Sequence, residues 1–124
     1  MKTTTTSNWR PLLRAFYPFL IAAAALWAMP RTARAQLYVT EVPPGVVLGF
    51  VGKYDATTGA AISPSFITGL NQPFGLAVKS NTLFVANQSN GTIGEYDAKT
   101  GAAVNANFIT GLSLPVGLAV KSAK

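Results

Sequence analysis

Short apolar runs separated by polar turn residues make up most of this chain. The runs FGLAVK at 74–79, LFVAN at 83–87, TIGEYD at 92–97 and NFIT at 107–110 each end at a cluster rich in Asn, Ser, Thr or Gly. Short runs of this composition, bounded by turn signals, are typical of β-strands. Outside the N-terminal segment the apolar residues do not keep a helical spacing. The pattern predicts an all-β body.

One unit of the sequence occurs twice, forty-two residues apart. YDATTGAA from Tyr54 returns as YDAKTGAA from Tyr96, FITGL at 66–70 returns at 108–112, and GLAVKS at 75–80 returns at 117–122. LYVT at 37–40 matches LFVA at 83–86 at an offset of 46, because the first copy carries four extra residues before Tyr54. We place the first repeat at 37–79 and the second at 83–122.

The repeat length indicates the architecture. Four short strands in about 42 residues is the size of one blade of a β-propeller. LFVA and GLAV are apolar on both faces, as expected of a sheet packed between two neighbours. A parallel β-helix is the competing repeat architecture, but its coils are usually shorter. The sequence therefore predicts about two four-stranded antiparallel blades.

Three separated motifs resemble the NHL-repeat propeller family. They are Pro-x-Gly-Leu-Ala-Val, Leu-Phe-Val-Ala-Asn and Gly-Thr-Ile-Gly-Glu-Tyr-Asp, and the resemblance covers residues 37–122. It is nearest to the secreted bacterial branch, some members of which end in a PEP-CTERM sorting tail. Complete propellers have about four to eight blades, whereas this chain has two repeats and ends at KSAK. We therefore expect a partial propeller, which would be a fragment, a decayed gene or a protomer that closes by association.

The two ends of the repeat region predict self-association. LYVT at 37–40 is a second strand without its first, and VGLAVK at 116–121 is a first strand without its second. Open strand edges pair with whatever complementary strand they meet. Because two blades cannot form a ring, we expect a head-to-tail ring of two or three copies joined through these edges.

Residues 1–35 have the organisation of a secretory signal peptide. Lys2, Arg10 and Arg14 precede an apolar run at 16–29, predicted to be helical, and small residues follow at Ala33 and Ala35. This order predicts cleavage between Ala35 and Gln36, leaving 36–124 as the mature, secreted or periplasmic protein.

The alternative for this segment is an uncleaved anchor that tethers the protein to a membrane. The apolar run is shorter than the roughly 20 residues that span a bilayer. We therefore expect only a transient membrane contact during export.

The charge distribution argues against a nucleic-acid partner. The formal net charge is +6, but five of the ten basic residues lie in the first 35, and the remainder holds five lysines against four acids. Such a body has no basic stripe to neutralise phosphates. The chain contains no cysteine and no histidine, which excludes disulfides and every histidine-dependent triad.

The candidate site residues are turn residues. Asp55 with Gly59, and Asp97 with Gly101, form two Asp-x-x-Thr-Gly turns, in which the carboxylate bonds nearby N–H groups. Asn90 and Gly91 predict a hairpin turn. The alternative for the two aspartates is a general acid–base pair, but equivalent positions on adjacent blades would not form one site. We expect no catalytic residue, metal site or cofactor.

Other conspicuous residues have structural explanations as well. Glu95 replaces Lys53 of the first copy, which predicts a tolerant, solvent-facing position. Asn87 and Asn90 begin glycosylation sequons that also fit turn chemistry. Six aromatic residues resemble a ligand-binding set, but packing between blades is the expected role; they are Tyr54, Phe66, Phe74, Phe84, Tyr96 and Phe108.

Taken together, the sequence predicts an exported, non-enzymatic interaction or structural module of the NHL type. Two alternatives stay open. The related sugar-lactonase propellers suggest a metal-dependent hydrolase, and the small number of repeats suggests a truncated piece of a longer protein with no independent function.

Overall fold

The computed structural model describes residues 33–123. The described part contains seven strands and no helix, so the all-β prediction is confirmed there. The strands are β1 (Gln36–Glu41), β2 (Leu48–Asp55), β3 (Ala61–Asn71), β4 (Pro73–Lys79), β5 (Thr82–Asn87), β6 (Thr92–Asp97) and β7 (Ala103–Ile109). The predicted signal-peptide helix at 16–29 lies outside the described residues.

The strands form two antiparallel sheets in which each strand pairs with its neighbour in sequence. Sheet A has the order β1-β2-β3, and sheet B has the order β4-β5-β6-β7. Sheet B thus has the predicted four strands, and sheet A has three, as expected of a sheet that starts at its second strand. The segment 73–79, counted with the first repeat in the sequence, begins sheet B as β4. The sheet boundary therefore falls between Asn71 and Pro73.

Residues 116–121, predicted as a strand, do not form one. A strand needs a neighbour for its backbone hydrogen bonds, and no strand of the described chain pairs with this segment. The segment instead lies against β4, where the Val116 carbonyl oxygen occupies the space that a side chain on Gly75 would need. Gly75 therefore permits a close backbone approach.

One apolar core joins the two sheets. Sheet A contributes Val51 and Ile67, and sheet B contributes Leu83, Val85 and Tyr96, all of them buried. These side chains come from one face of each sheet, because residues two apart on a strand share a face. We call the two surfaces that meet here the inner faces, and the opposite surfaces the outer faces.

Equivalent residues of the two repeats make equivalent contacts within each sheet. The rings of Tyr38 and Phe66 lie 5.8 Å apart in sheet A, and those of Phe84 and Phe108 lie 5.6 Å apart in sheet B, at nearly the same tilt. Burial does not follow this symmetry. Phe108 is exposed whereas the equivalent Phe66 is half-buried, and Phe74 is exposed as well. The expected core packing of the aromatic set therefore does not hold for Phe74 and Phe108.

Candidate functional site

The Asp55 and Asp97 side chains stabilise two equivalent turns. The Asp55 turn joins β2 to β3, and the Asp97 turn joins β6 to β7. In each turn one carboxylate oxygen accepts two backbone N–H groups. These belong to Thr57 and Thr58 at 2.8 and 2.9 Å for Asp55, and to Lys99 and Thr100 at 2.8 and 2.9 Å for Asp97. Gly59 and Gly101 follow with φ of 74° and 76°, a conformation that glycine adopts without steric cost.

The same hydrogen bonds set the ionisation of both carboxyls. The N–H groups of Thr58 and then Thr57 lower the pKa of Asp55, and those of Thr100 and then Lys99 lower the pKa of Asp97. Donors that stabilise a carboxylate make it a weaker base. A general base needs a pKa nearer the working pH, so this arrangement suits a turn better than proton transfer.

The hairpin between β5 and β6 turns at Asn90 and Gly91, and Gly91 has a φ of 67°. The Thr92 hydroxyl donates to Asn90 Oδ1 at 2.8 Å and accepts from Asn87 Nδ2 at 3.3 Å. Asn87 is buried, whereas Asn90 is exposed. Of the two sequons, only the one at Asn90 presents its amide at the surface of the folded chain.

Lys53 is buried between the two sheets, so the expectation that this repeat position faces solvent was wrong for the first copy. Its Nζ donates to the carbonyl oxygen of Ala98 at 3.3 Å and lies 4.6 Å from the centre of the Phe66 ring. The Tyr38 hydroxyl donates to the same carbonyl at 2.7 Å. Carbonyl acceptors and an aromatic face are what a partly desolvated ammonium requires. Lys53 thus links sheet A to the Asp97 turn through a hydrogen bond.

The equivalent position in sheet B is occupied by Glu95, which is only half-buried. Within the described residues no group of three or more acidic side chains could hold a metal ion. The Glu41 carboxylate accepts the Tyr54 hydroxyl at 3.0 Å. In the same residues there is no helix of the length and apolarity needed to cross a membrane.

The predicted cleavage residues lie at the start of the described chain. Ala33 and Ala35 are exposed and have no regular structure, and Gln36 begins β1. The Ala35 carbonyl oxygen accepts the N–H of Ala56 at 2.9 Å.

A groove of about 320 Å³ opens on the outer face of sheet B. Phe84, Ile93 and Ile109 form its floor, and Leu118 and Val120 of the C-terminal segment form one wall. Lys79 and Lys121, forty-two residues apart in the sequence, also line it. The sequence did not predict this groove, because its lining residues are ordinary apolar residues of the repeat that form a surface only where no further sheet covers them.

The described residues thus form two successive antiparallel sheets that share one apolar core, with an open apolar groove on the outer face of sheet B. Comparison with known proteins found no matching family model, no matching curated protein and no matching solved structure.

Proposed function

We propose that this chain is an exported, non-enzymatic interaction or structural module built from NHL-like repeats. The observation that supports a binding role is the groove on the outer face of sheet B. Its floor residue Ile109 is 43 % exposed, while the repeat-equivalent Ile67 is 5 % exposed. Apolar surface of this kind is typical of a site that another molecule covers.

A partial propeller is the architecture that this proposal assumes. Successive meander sheets that pack face to face through apolar inner faces agree with neighbouring blades. In this interpretation sheet B is a whole blade, sheet A is a blade that lacks its first strand, and 116–121 is the first strand of a further blade. A longer protein with more repeats would place its next blade on the same outer face of sheet B.

A binding role explains the acidic residues better than hydrolysis does. The Asp55 and Asp97 carboxylates are each held by two N–H groups of their own turn. A residue that holds a turn in this way has one oxygen fewer for a metal or a substrate. The groove, in turn, is lined by apolar side chains and two lysines.

Export is proposed from the sequence of residues 1–35, and it can be tested separately. The full chain should be expressed in a secreting host and the exported form sequenced from its N-terminus. A start at Gln36 in the exported fraction supports the proposal. A start at Met1 in the membrane fraction would show a tethered protein instead.

The binding role can be tested by site-specific photo-crosslinking in the full chain. A photoreactive phenylalanine at Phe108 should form adducts on irradiation, since this side chain lies at the groove. The control is the same group at Val104, which is exposed on β7 outside the groove. Equal labelling at both positions, or metal-dependent hydrolysis of lactones by the purified protein, would overturn the proposal.

A further inference from the structure

The junction between sheets A and B shows how two repeats of this sequence pack against each other. On the sheet A side it contains Val51 and Ile67, and on the sheet B side it contains Leu83 and Val85. Leu83 is 0 % exposed and Ile67 is 5 % exposed. The junction therefore buries the inner face of each sheet completely at its centre.

Both surfaces of this junction occur a second time, on the outer faces. The equivalent of Leu83 is Leu37 on the outer face of sheet A, and it is 51 % exposed. The equivalent of Ile67 is Ile109 in the groove of sheet B. The chain thus carries one buried junction and the two separate halves of a second one.

The strand edges repeat in the same way. In sheet B, β4 pairs with β5 so that Val78 lies opposite Leu83. The equivalent of β4 is the unpaired segment 116–121, and the equivalent of β5 is β1, which is an edge strand of sheet A. In an identical junction Val120 of one chain would lie opposite Leu37 of another.

We propose that the outer face of sheet B binds a second copy of this chain through the outer face of its sheet A. β1 of the second copy pairs with 116–121, with Val120 opposite Leu37, and its Leu37 fills the groove beside Ile109. This inference rests on the proposed binding role and names the partner. It also converts sheet A of the second copy into a four-stranded sheet, because 116–121 supplies its missing first strand.

The contact is heterologous, since it joins different surfaces of the two copies. A heterologous contact forms a ring if its rotation closes and a filament if it does not. Each copy contributes two sheets, so a ring of two or three copies would contain four or six, both within the range of propellers. The expected particle is therefore a closed dimer or trimer.

One position makes this contact weaker than the internal junction. Lys53 donates to the Ala98 carbonyl inside the chain, whereas its equivalent Glu95 would face the Ala56 carbonyl of the second copy. A carboxylate cannot donate to a carbonyl oxygen. Glu95→Lys should therefore tighten the association about tenfold or more, because a hydrogen bond from a charged donor is among the stronger ones.

The sharpest test uses two variants that each block one face. Leu37→Asp disables the outer face of sheet A, and Ile109→Asp disables that of sheet B. In sedimentation of the exported protein each variant alone should be monomeric, and an equal mixture should form a dimer with one contact. Val104→Asp is the control and should associate like the unchanged protein, since the equivalent Ile62 stays 51 % exposed beside the internal junction.

The register can be tested with engineered cysteines, because the chain has none of its own. Leu37→Cys mixed with Val120→Cys should give a disulfide-linked dimer on mild oxidation, since directly opposite Cβ atoms lie within about 4.5–5.5 Å. Leu37→Cys mixed with Val104→Cys should not. Circular dichroism of each aspartate variant shows whether it is folded.

Three outcomes would overturn the proposal. They are a folded, unchanged protein that stays monomeric at high concentration, folded aspartate variants that associate by themselves, and cysteine pairs that crosslink without regard to register. Groove adducts that contain only another kind of molecule would also overturn it, yet would leave the proposed binding role standing.

Discussion

Ile67 and Ile109 occupy the same position of the two repeats and are followed by the same three residues, Thr, Gly and Leu. Ile67 is 5 % exposed and Ile109 is 43 % exposed. The same difference separates Leu70, at 3 %, from Leu112, at 39 %. Local sequence is therefore not what buries these residues. A side chain of sheet A is buried because sheet B lies against it, and its counterpart in sheet B has no such neighbour in the described chain.

The largest expected difference in the effect of equivalent substitutions on the free energy of unfolding lies at Lys53 and Glu95. Lys53→Glu should lower the free energy of unfolding by about 3–5 kcal/mol, because it leaves a buried charge beside carbonyl oxygens without a partner. Glu95→Lys should stay within about 0.5 kcal/mol in dilute solution, since its side chain can reach water. Urea denaturation of both variants measures the two values. Lys53→Met, which keeps the packing and removes the charge, should fall between them.

The next largest difference lies at Leu83 and Leu37. Leu83→Ala should cost about 2–5 kcal/mol, because a fully buried leucine leaves a cavity when it is truncated. Leu37→Ala should cost less than about 1 kcal/mol in the monomer, since this side chain is half-exposed. Urea midpoints at low protein concentration measure both, and equal losses would contradict the assignment of inner and outer faces.

A smaller difference is expected at Gly101 and Gly59, which have nearly the same φ. Alanine at Gly59 should cost about 1 kcal/mol, because only its backbone conformation is strained. Alanine at Gly101 should cost about 1–3 kcal/mol more, since its Cβ would collide with the Phe66 carbonyl oxygen. Thermal unfolding of the two variants gives the difference. If both cost the same, the Asp97 turn does not pack against sheet A as described.

The smallest difference is expected at Asp55 and Asp97, which share the same turn hydrogen bonds and differ in the donor to the second carboxylate oxygen, Arg34 for Asp55 and Asn81 for Asp97. The folded-state pKa of each carboxyl lies below its unfolded value. Their stabilisation is therefore complete above the unfolded pKa of about 3.9, and it is lost as the pH falls through the folded value. Asp55→Asn and Asp97→Asn should each flatten the acid side of the stability–pH profile to a similar extent. A marked asymmetry would show that the two turns are not equivalent.

The repeat offset was the most informative sequence feature for the fold. The apolar runs at 83–87 and 92–97 located β5 and β6, whereas the repeat offset favoured units of four short antiparallel strands. It did not indicate that Lys53 is buried, because a Lys-to-Glu exchange between copies looks like surface tolerance. The exchange is tolerated only because the second copy of the position, Glu95, lies on an outer face.

The strand prediction at 116–121 failed for a related reason. Its sequence is nearly that of β4, yet β4 pairs with β5 and the later segment pairs with no strand. Strand propensity is decided by the pairing available. The groove beside this segment could not be predicted from the sequence either, since the identity of an apolar residue does not indicate whether a neighbouring sheet covers it.

Most of the local structure of the described residues follows from the sequence alone. The Asp-x-x-Thr-Gly motif at Asp55 and Asp97 defines its turn because the hydrogen bonds join residues two and three apart. The strand positions in the body follow from apolar runs between such turns. Which of two nearly identical surfaces is buried, by contrast, follows only from the packing of the two sheets. That outcome depends on contacts between residues far apart in the chain, as when the Lys53 ammonium meets the Ala98 carbonyl, and a repeated sequence contains the same surfaces in both copies whether or not a neighbour covers them.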